Sequence, residues 1–98
     1  MEVSFADYEL RRLWTDESAT AGFPRGVVEA YRKRLNAIYA APDERVFYAM
    51  KSLHFEKLRG QRQHQCSMRL NRQYRLILEL DGTGRGKGIR IVRIEDYH

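Results

Sequence analysis

Apolar residues recur at helical spacing in the first half of this 98-residue chain. Positions three to four residues apart predict a first helix over residues 6–15, and a longer stripe predicts a second helix between Pro24 and Pro42. The apolar positions of the two stripes are Leu10, Leu13, Trp14, Val27, Val28, Tyr31, Leu35, and Ile38 or Tyr39. Such stripes are typical of helices that pack on a core, and the basic run Arg32–Arg34 lies mainly on the solvated side of the second helix.

In the second half of the chain the apolar positions alternate with polar ones, as in a strand with one buried face. This alternation predicts two strands, Gln65–Leu70 and Gln73–Leu80, joined by a tight hairpin at residues 71–73. A last strand is predicted over Ile89–Ile94. The glycine-dense segment before it lacks the spacing of a phosphate-binding loop, so we interpret it as a hairpin connection.

These elements predict a single α+β domain over residues 1–98. Met1–Phe5 is a candidate N-terminal strand, and a short helical turn is expected around Val46–Met50. Two antiparallel helices with a short connection would cover one face of the sheet. The chain order is therefore a strand, two helices and a meander of three or more strands, which predicts a small, mainly antiparallel sheet with both helices packed on it.

Positive charge is concentrated in one quarter of the chain. The formal net charge is +5, and residues 51–75 carry seven Lys and Arg side chains against a single acidic one, Glu56. Such a segment is expected of an anion-binding face, although a solvated basic surface has the same composition. The chain has no apolar run near the roughly 20 residues that span a bilayer, and its acidic N-terminus lacks a signal-peptide core. With the lone Cys66, these features indicate a cytoplasmic protein that makes no membrane contact.

Two arginines on neighbouring predicted strands form the first candidate site. Arg69 and Arg75 lie six residues apart across the predicted hairpin. A guanidinium offers a planar fork of donors and keeps its charge near neutral pH, so a pair of them suits a phosphate and its charged transition state. Whether the two side chains share a face depends on the hairpin register, and the sequence leaves both arrangements open.

The last two residues, Tyr97 and His98, are the second candidate site. Imidazole is the commonest general acid and base in proteins, and Tyr97 is suited to stack on a base or to polarise a phosphate oxygen. A last strand paired beside the arginine strands would bring both residues towards Arg69 and Arg75. The remaining histidines and Cys66 lack the spacing of a zinc site, so we expect no metal and no cofactor.

Four short motifs in the second half of the chain form a specific combination. They are Leu58-Arg59-Gly60, Ser67-Met68-Arg69-Leu70-Asn71, Gln73-Tyr74-Arg75 and the terminal Asp96-Tyr97-His98. Together they resemble the HigB branch of the RelE/ParE superfamily of toxins, whose pattern is Leu-Lys-Gly, Ser-Ile-Arg-Val-Asn, Gln-Trp/Tyr-Arg and a terminal Asp-Tyr-His. The chain departs from this pattern at Arg59, which keeps the charge of lysine with another geometry, and at Arg72, where the family often has an acidic or small residue.

The resemblance implies a RelE/ParE-like fold and the toxin of a type II toxin–antitoxin system. Such toxins are metal-independent endoribonucleases that cut messenger RNA in the ribosomal A site and so inhibit translation. By this resemblance Arg69 and Arg75 would bind the scissile phosphate, His98 would be the acid and base, and Tyr97 would orient the substrate.

The resemblance also implies the partners. They would be the 70S ribosome with its mRNA, and a cognate antitoxin of the HigA-like helix-turn-helix type, with DNA bound only through the antitoxin complex. Contacts to RNA or the ribosome would come from four basic residues: Lys57, Arg59, Arg62 and Arg72.

Two other functions remain open on the sequence alone. One is a ParE-like toxin of the same fold that inhibits DNA gyrase without cutting nucleic acid, a function that has no need of the terminal His98. The other is a non-enzymatic RNA-binding module, for which His98→Gln would be harmless and only loss of Lys and Arg residues would reduce binding.

Overall fold

The computed structural model describes residues 1–81 and 88–96 and shows a five-stranded sheet with helices packed on one face. In chain order the elements are β1 (Glu2–Phe5), α1 (Tyr8–Thr15), α2 (Arg25–Ala40), α3 (Arg45–Ala49), β2 (Glu56–Lys57), β3 (Gln65–Arg69), β4 (Tyr74–Asp81) and β5 (Gly88–Asp96). Short 3₁₀ turns at Lys51–Leu53 and Gly60–Arg62 lie on either side of β2. The predicted α+β class, the N-terminal strand and both long helices are confirmed.

The sheet has the strand order β1-β5-β4-β3-β2, so β4 lies in its middle. Neighbouring strands from β2 to β5 pair antiparallel, and only β1 pairs in parallel, with β5. Outward side chains of β4 are therefore flanked by those of β3 on one side and of β5 on the other. This arrangement confirms the mainly antiparallel sheet and puts Arg75 on its central strand, close to the β3–β4 hairpin.

A bulge in β5 decides which of its side chains face outward. In the pairing with β4, Ile94 lies opposite Leu76 and Ile91 lies opposite Leu78, which leaves Val92 as an extra residue. Both isoleucines therefore keep the core face although they are three residues apart. The same shift puts Arg93 and Glu95 on the outer face, beside the outward residues of β4.

The core lies between the helices and the inner face of the sheet, and Tyr31 of α2 is fully buried in it. Its hydroxyl donates to the carbonyl oxygen of Leu10 at 2.8 Å, which ties α2 to α1. Burial raises the pKa of Tyr31 well above its ordinary value.

We expect Tyr31→Phe to lower the free energy of unfolding by about 1 kcal/mol near neutral pH, since a net buried hydrogen bond is worth about that much. Because the Tyr31 pKa is raised in the folded chain, the unfolded chain loses this proton first, from about pH 10. The wild type should therefore lose stability as pH rises above about 10, and Tyr31→Phe should lose less. Urea unfolding at neutral and alkaline pH measures both effects.

Tyr8→Phe is the matched control for this prediction, because the Tyr8 side chain is exposed. It should change neither the stability at neutral pH nor its decline at alkaline pH. Equal alkaline losses in the wild type and in Tyr31→Phe would contradict the prediction.

The basic run Arg32–Arg34 is not the solvated helix face that the sequence suggested, because two of its members bind backbone carbonyls. Arg32 donates to four carbonyl oxygens at the end of α1 and in the loop after it, those of Leu13, Asp16, Glu17 and Ala19. Arg34 donates to the carbonyl of Arg69 at 3.0 Å. Only Lys33 is exposed, so two of the three charges fix the helices against each other and against the sheet.

Candidate active site

The register of the β3–β4 hairpin puts Arg69 and Arg75 directly opposite each other on the outer face of the sheet. Asn71 fixes the turn between the two strands. Its Oδ1 accepts from the backbone nitrogens of Gln73 at 2.8 Å and Tyr74 at 2.7 Å. The predicted hairpin is thus confirmed, and the question that the sequence left open is answered in favour of a shared face.

Hydrogen bonds to β3 and to the turn before β2 fix the position of Arg75. Its Nε donates to the hydroxyl of Ser67 on β3 at 3.0 Å, and its Nη2 donates to the carbonyl of His54 at 2.7 Å. Glu56 of β2 lies 3.6 Å from the same nitrogen, and the Arg75 side chain is only 13% exposed. Because Ser67 is itself fully buried, its role is to orient this guanidinium fork.

Arg69 lies at the end of β3. Its Nε donates to the carbonyl of Asn71 at 3.3 Å, and its Nη1 lies 3.3 Å from Nε2 of His54. From the helix side, Arg34 holds the backbone carbonyl of Arg69. Burial lowers the pKa of Arg34.

His54 joins the two arginines, and sequence reasoning missed it because it considered this residue only as a metal ligand. Its carbonyl binds Arg75 while its ring contacts Arg69. The backbone of His54 is left-handed, with φ 47° and ψ 46°, a conformation that costs energy for a non-glycine residue and often occurs at functional sites. No local sequence pattern indicates this position, since the contacts join residues 15 and 21 positions apart.

The contact between His54 and Arg69 joins two side-chain nitrogens. A guanidinium group has donors but no acceptor, so Nε2 of His54 accepts the hydrogen bond in this pair. The site therefore combines two cationic forks with one imidazole that accepts a hydrogen bond on the same face.

The four predicted RNA-binding residues differ in the sheet face on which they lie and in whether they form an ion pair. Arg59 and Arg72 are exposed, the latter at the hairpin tip, and neither has an ion-pair partner within the part of the chain that the structure describes. Lys57 is also exposed, but it lies opposite Cys66 and therefore on the helix-side face, away from the arginine pair. Arg62 is in an ion pair with Glu95, at 2.9 Å.

Tyr97 and His98, the predicted orienting residue and acid/base, lie outside the described residues. β5 is described up to Asp96, whose carboxylate accepts from Nε2 of Gln73 at 3.2 Å. In register, Asp96 lies opposite Tyr74 and Glu95 lies opposite Arg75. The last described residues of β5 are thus beside the arginine pair, and the roles of Tyr97 and His98 stay predictions.

Residues 1–81 and 88–96 contain neither a candidate metal-ion cluster nor a helix that could span a membrane. Within these ranges no three His, Cys, Asp or Glu side chains are placed to hold a metal ion together. None of the helices there is long and apolar enough to cross a membrane. Cys66 is a core residue, and burial raises the pKa of its thiol.

Comparison with known proteins gives consistent matches. The family model described as the RelE-like toxin of type II toxin-antitoxin system HigB matches residues 3–90. The chain is 31% identical over 84 residues to Toxin HigB-1 of Vibrio cholerae serotype O1, a match that covers 85% of this chain and 88% of that protein. Among solved structures, the YoeB/ParE toxin from Agrobacterium tumefaciens matches with a TM-score of 0.64 over 100% of both chains.

The three matches differ in what they cover. At 13% identity, the structural match shows the fold alone. The family match includes Arg69, Arg75 and His54, and it ends before Tyr97 and His98.

Proposed function

The chain belongs to the HigB-like family of RelE-like toxins from type II toxin–antitoxin systems, and from this premise we propose that it is a ribosome-dependent endoribonuclease that cuts messenger RNA. The observation that carries the proposal is the pairing of Arg69 with Arg75 on one face, with His54 bound to both. In this proposal the two neighbouring guanidinium groups would bind a single phosphate group.

The reaction suited to this site is attack of an RNA 2′-hydroxyl on its own phosphate. The step needs a base for the hydroxyl, neutralisation of the charge that develops on the phosphate, and a proton for the leaving oxygen. Arg69 and Arg75 would supply the neutralisation. His98 would move the protons, Tyr97 would orient the nucleotide, and the ring of His54 would hold Arg69 in place.

Binding to the ribosome would depend on the exposed cations. We expect a Lys57→Ala, Arg59→Ala, Arg72→Ala triple variant to bind ribosomes more weakly, because each cation that neutralises a phosphate releases counterions. The slope of log affinity against log salt should fall by about one unit per removed contact. Affinity measured at several salt concentrations gives the slope.

Lys33→Ala is the control for this triple variant, since it removes an exposed cation from α2. It should leave the slope unchanged. A triple variant with the wild-type slope would show that these residues do not contact ribosomal RNA.

A toxin of this type has a cognate antitoxin as its partner. We expect that antitoxin to be a HigA-like helix-turn-helix protein through which the complex reaches DNA. Because the substrate would be messenger RNA on translating ribosomes, we expect the toxin to act in the cytoplasm.

The second candidate function is inhibition of DNA gyrase. The fold that this chain shares with a toxin named YoeB/ParE is compatible with it. Pulse labelling of cells after induction of the toxin distinguishes mRNA cleavage from gyrase inhibition. Our proposal predicts that amino-acid incorporation stops before thymidine incorporation, while plasmid supercoiling is kept. Early loss of supercoiling with continuing protein synthesis would favour gyrase instead.

A further inference from the structure

Arg62 is the centre of a polar network on the outer face of the sheet. Its Nη1 and Nη2 donate to the two carboxylate oxygens of Glu95, at 3.1 and 2.9 Å, and its Nε donates to Oε1 of Gln65 at 3.2 Å. All three guanidinium nitrogens are thus engaged in one fixed geometry. Since Gln65 lies on β3 and Glu95 on β5, the side chain crosses β4 diagonally.

Ile77 lies on β4 between these two anchor points. It is fully buried, although it faces away from the helices and is not part of the core cluster there. Its opposite neighbours in register are Ser67 on β3 and Arg93 on β5. An arginine stem covers apolar surface readily while its charged head keeps polar partners, so the burial of Ile77 is consistent with an Arg62 stem that crosses over it.

Glu95, the partner of Arg62, lies directly opposite Arg75 in the β4–β5 register. Side chains at such paired positions have Cβ atoms about 5 Å apart, so a carboxylate there is within easy reach of the guanidinium. In residues 1–81 and 88–96, however, the ion pairs of Glu95 run to Arg62 and to Nε of Arg93, the latter at 3.5 Å. Arg62 supplies the two shorter bonds.

We propose that Arg62 is a positioning residue for the phosphate site, because it holds both oxygens of Glu95 and keeps that carboxylate from pairing with Arg75. Glu56 already lies 3.6 Å from Nη2 of Arg75, and a second carboxylate on this guanidinium would cancel the charge that a phosphate requires there. This inference rests on the proposed function, which gives Arg75 its phosphate. It also differs from the sequence prediction that Arg62 itself contacts RNA.

Cleavage rates on ribosome-bound mRNA test the proposal with four proteins: the wild type, Arg62→Ala, Glu95→Gln and the double variant. We expect Arg62→Ala to lower kcat about tenfold with little change in KM, since the released carboxylate opposes charge neutralisation in the transition state. Glu95→Gln should cut at nearly the wild-type rate, because an amide carries no competing charge. The double variant should recover most of the lost rate.

Two kinetic outcomes would overturn the proposal. A double variant no faster than Arg62→Ala would show that Glu95 is not the cause of the loss. A loss confined to KM, and unrelieved by Glu95→Gln, is what direct RNA binding by Arg62 predicts. If Arg62→Ala does not fold, Arg62→Lys takes its place, with a smaller loss that Glu95→Gln should again relieve.

The NMR resonance of the Arg75 Nε–H group tests, in the free toxin and without any cleavage, whether Glu95 pairs with Arg75 once Arg62 is removed. It should shift in Arg62→Ala and return towards its wild-type position in the double variant. A folded Arg62→Ala protein with no shift would overturn the proposal even if the wild type cuts RNA. If the shifts occur as expected but the toxin does not cut RNA, the hold of Arg62 on Glu95 is supported and only the endoribonuclease function is overturned.

Discussion

Replacing Arg75 by alanine is expected to lower the rate of cleavage of ribosome-bound mRNA at least about 100-fold, since removing one preorganised donor to a developing charge costs about 10²–10³ in rate. Ser67 and the carbonyl of His54 hold this guanidinium in place before substrate binds. Arg75→Lys keeps the charge without the fork, so its rate should lie between those of the wild type and Arg75→Ala. Single-turnover cleavage measures all three.

Arg69→Ala should also slow cleavage, by a smaller factor. Its side chain is held by longer contacts than that of Arg75. If the two arginines grip one phosphate, the double variant should lose less than the product of the two single losses. Independent, multiplicative losses would indicate two separate anion sites.

Arg90→Ala is the control for both arginine variants, because Arg90 lies on the same outer face and pairs with Glu79 at 3.6 Å. It removes one cation from that face and should leave the rate near that of the wild type. Thermal unfolding must show that each variant is folded. A folded Arg75→Ala protein that cuts at the wild-type rate would contradict the assignment of the phosphate site.

Deleting His98 is the second change with a large expected effect, a loss of about 10²–10⁴ in cleavage rate, which is the usual contribution of a positioned acid or base. His98→Gln should lose nearly as much, because an amide does not transfer protons. Growth inhibition should disappear with cleavage. Tyr97→Phe should have a smaller effect, since a ring that stacks on a base keeps that contact without its hydroxyl.

His64→Gln is the matched control for the His98 variants. His64 is an exposed histidine 3.6 Å from Glu79, so its loss removes an imidazole without touching the arginine pair. It should keep full activity. A folded toxin that lacks His98 and yet remains fully toxic would contradict this role of His98 and favour gyrase inhibition or RNA binding without cleavage.

The strands of the site were predictable from the sequence because their alternation has a period of two, and that period fixes which side chains share a face within one strand. The sequence could not say whether Arg69 and Arg75 share a face, since that depends on the register between strands. The register is set by the side chain of Asn71, which caps the turn. An asparagine at that place is compatible with several turns, so the pattern alone left the question open.

Long-range side-chain contacts account for most of what sequence reasoning missed. The bond from Arg34 to the carbonyl of Arg69 joins residues 35 positions apart, and the pair of Arg62 with Glu95 joins residues 33 positions apart. Periodicity places a residue on a face, but it does not say which distant group the end of a long side chain reaches. For the same reason His54, an isolated histidine in a turn, gave no signal before the fold brought it to the arginines.

Cleavage of one mRNA, bound to ribosomes and in free form, tests the central claim most directly when the new 5′ ends are mapped. We predict that the wild-type toxin cuts the bound mRNA within the codon in the A site and leaves the free mRNA intact. The claim would be contradicted if a folded, growth-inhibiting toxin cut neither, or cut both equally well at the same positions.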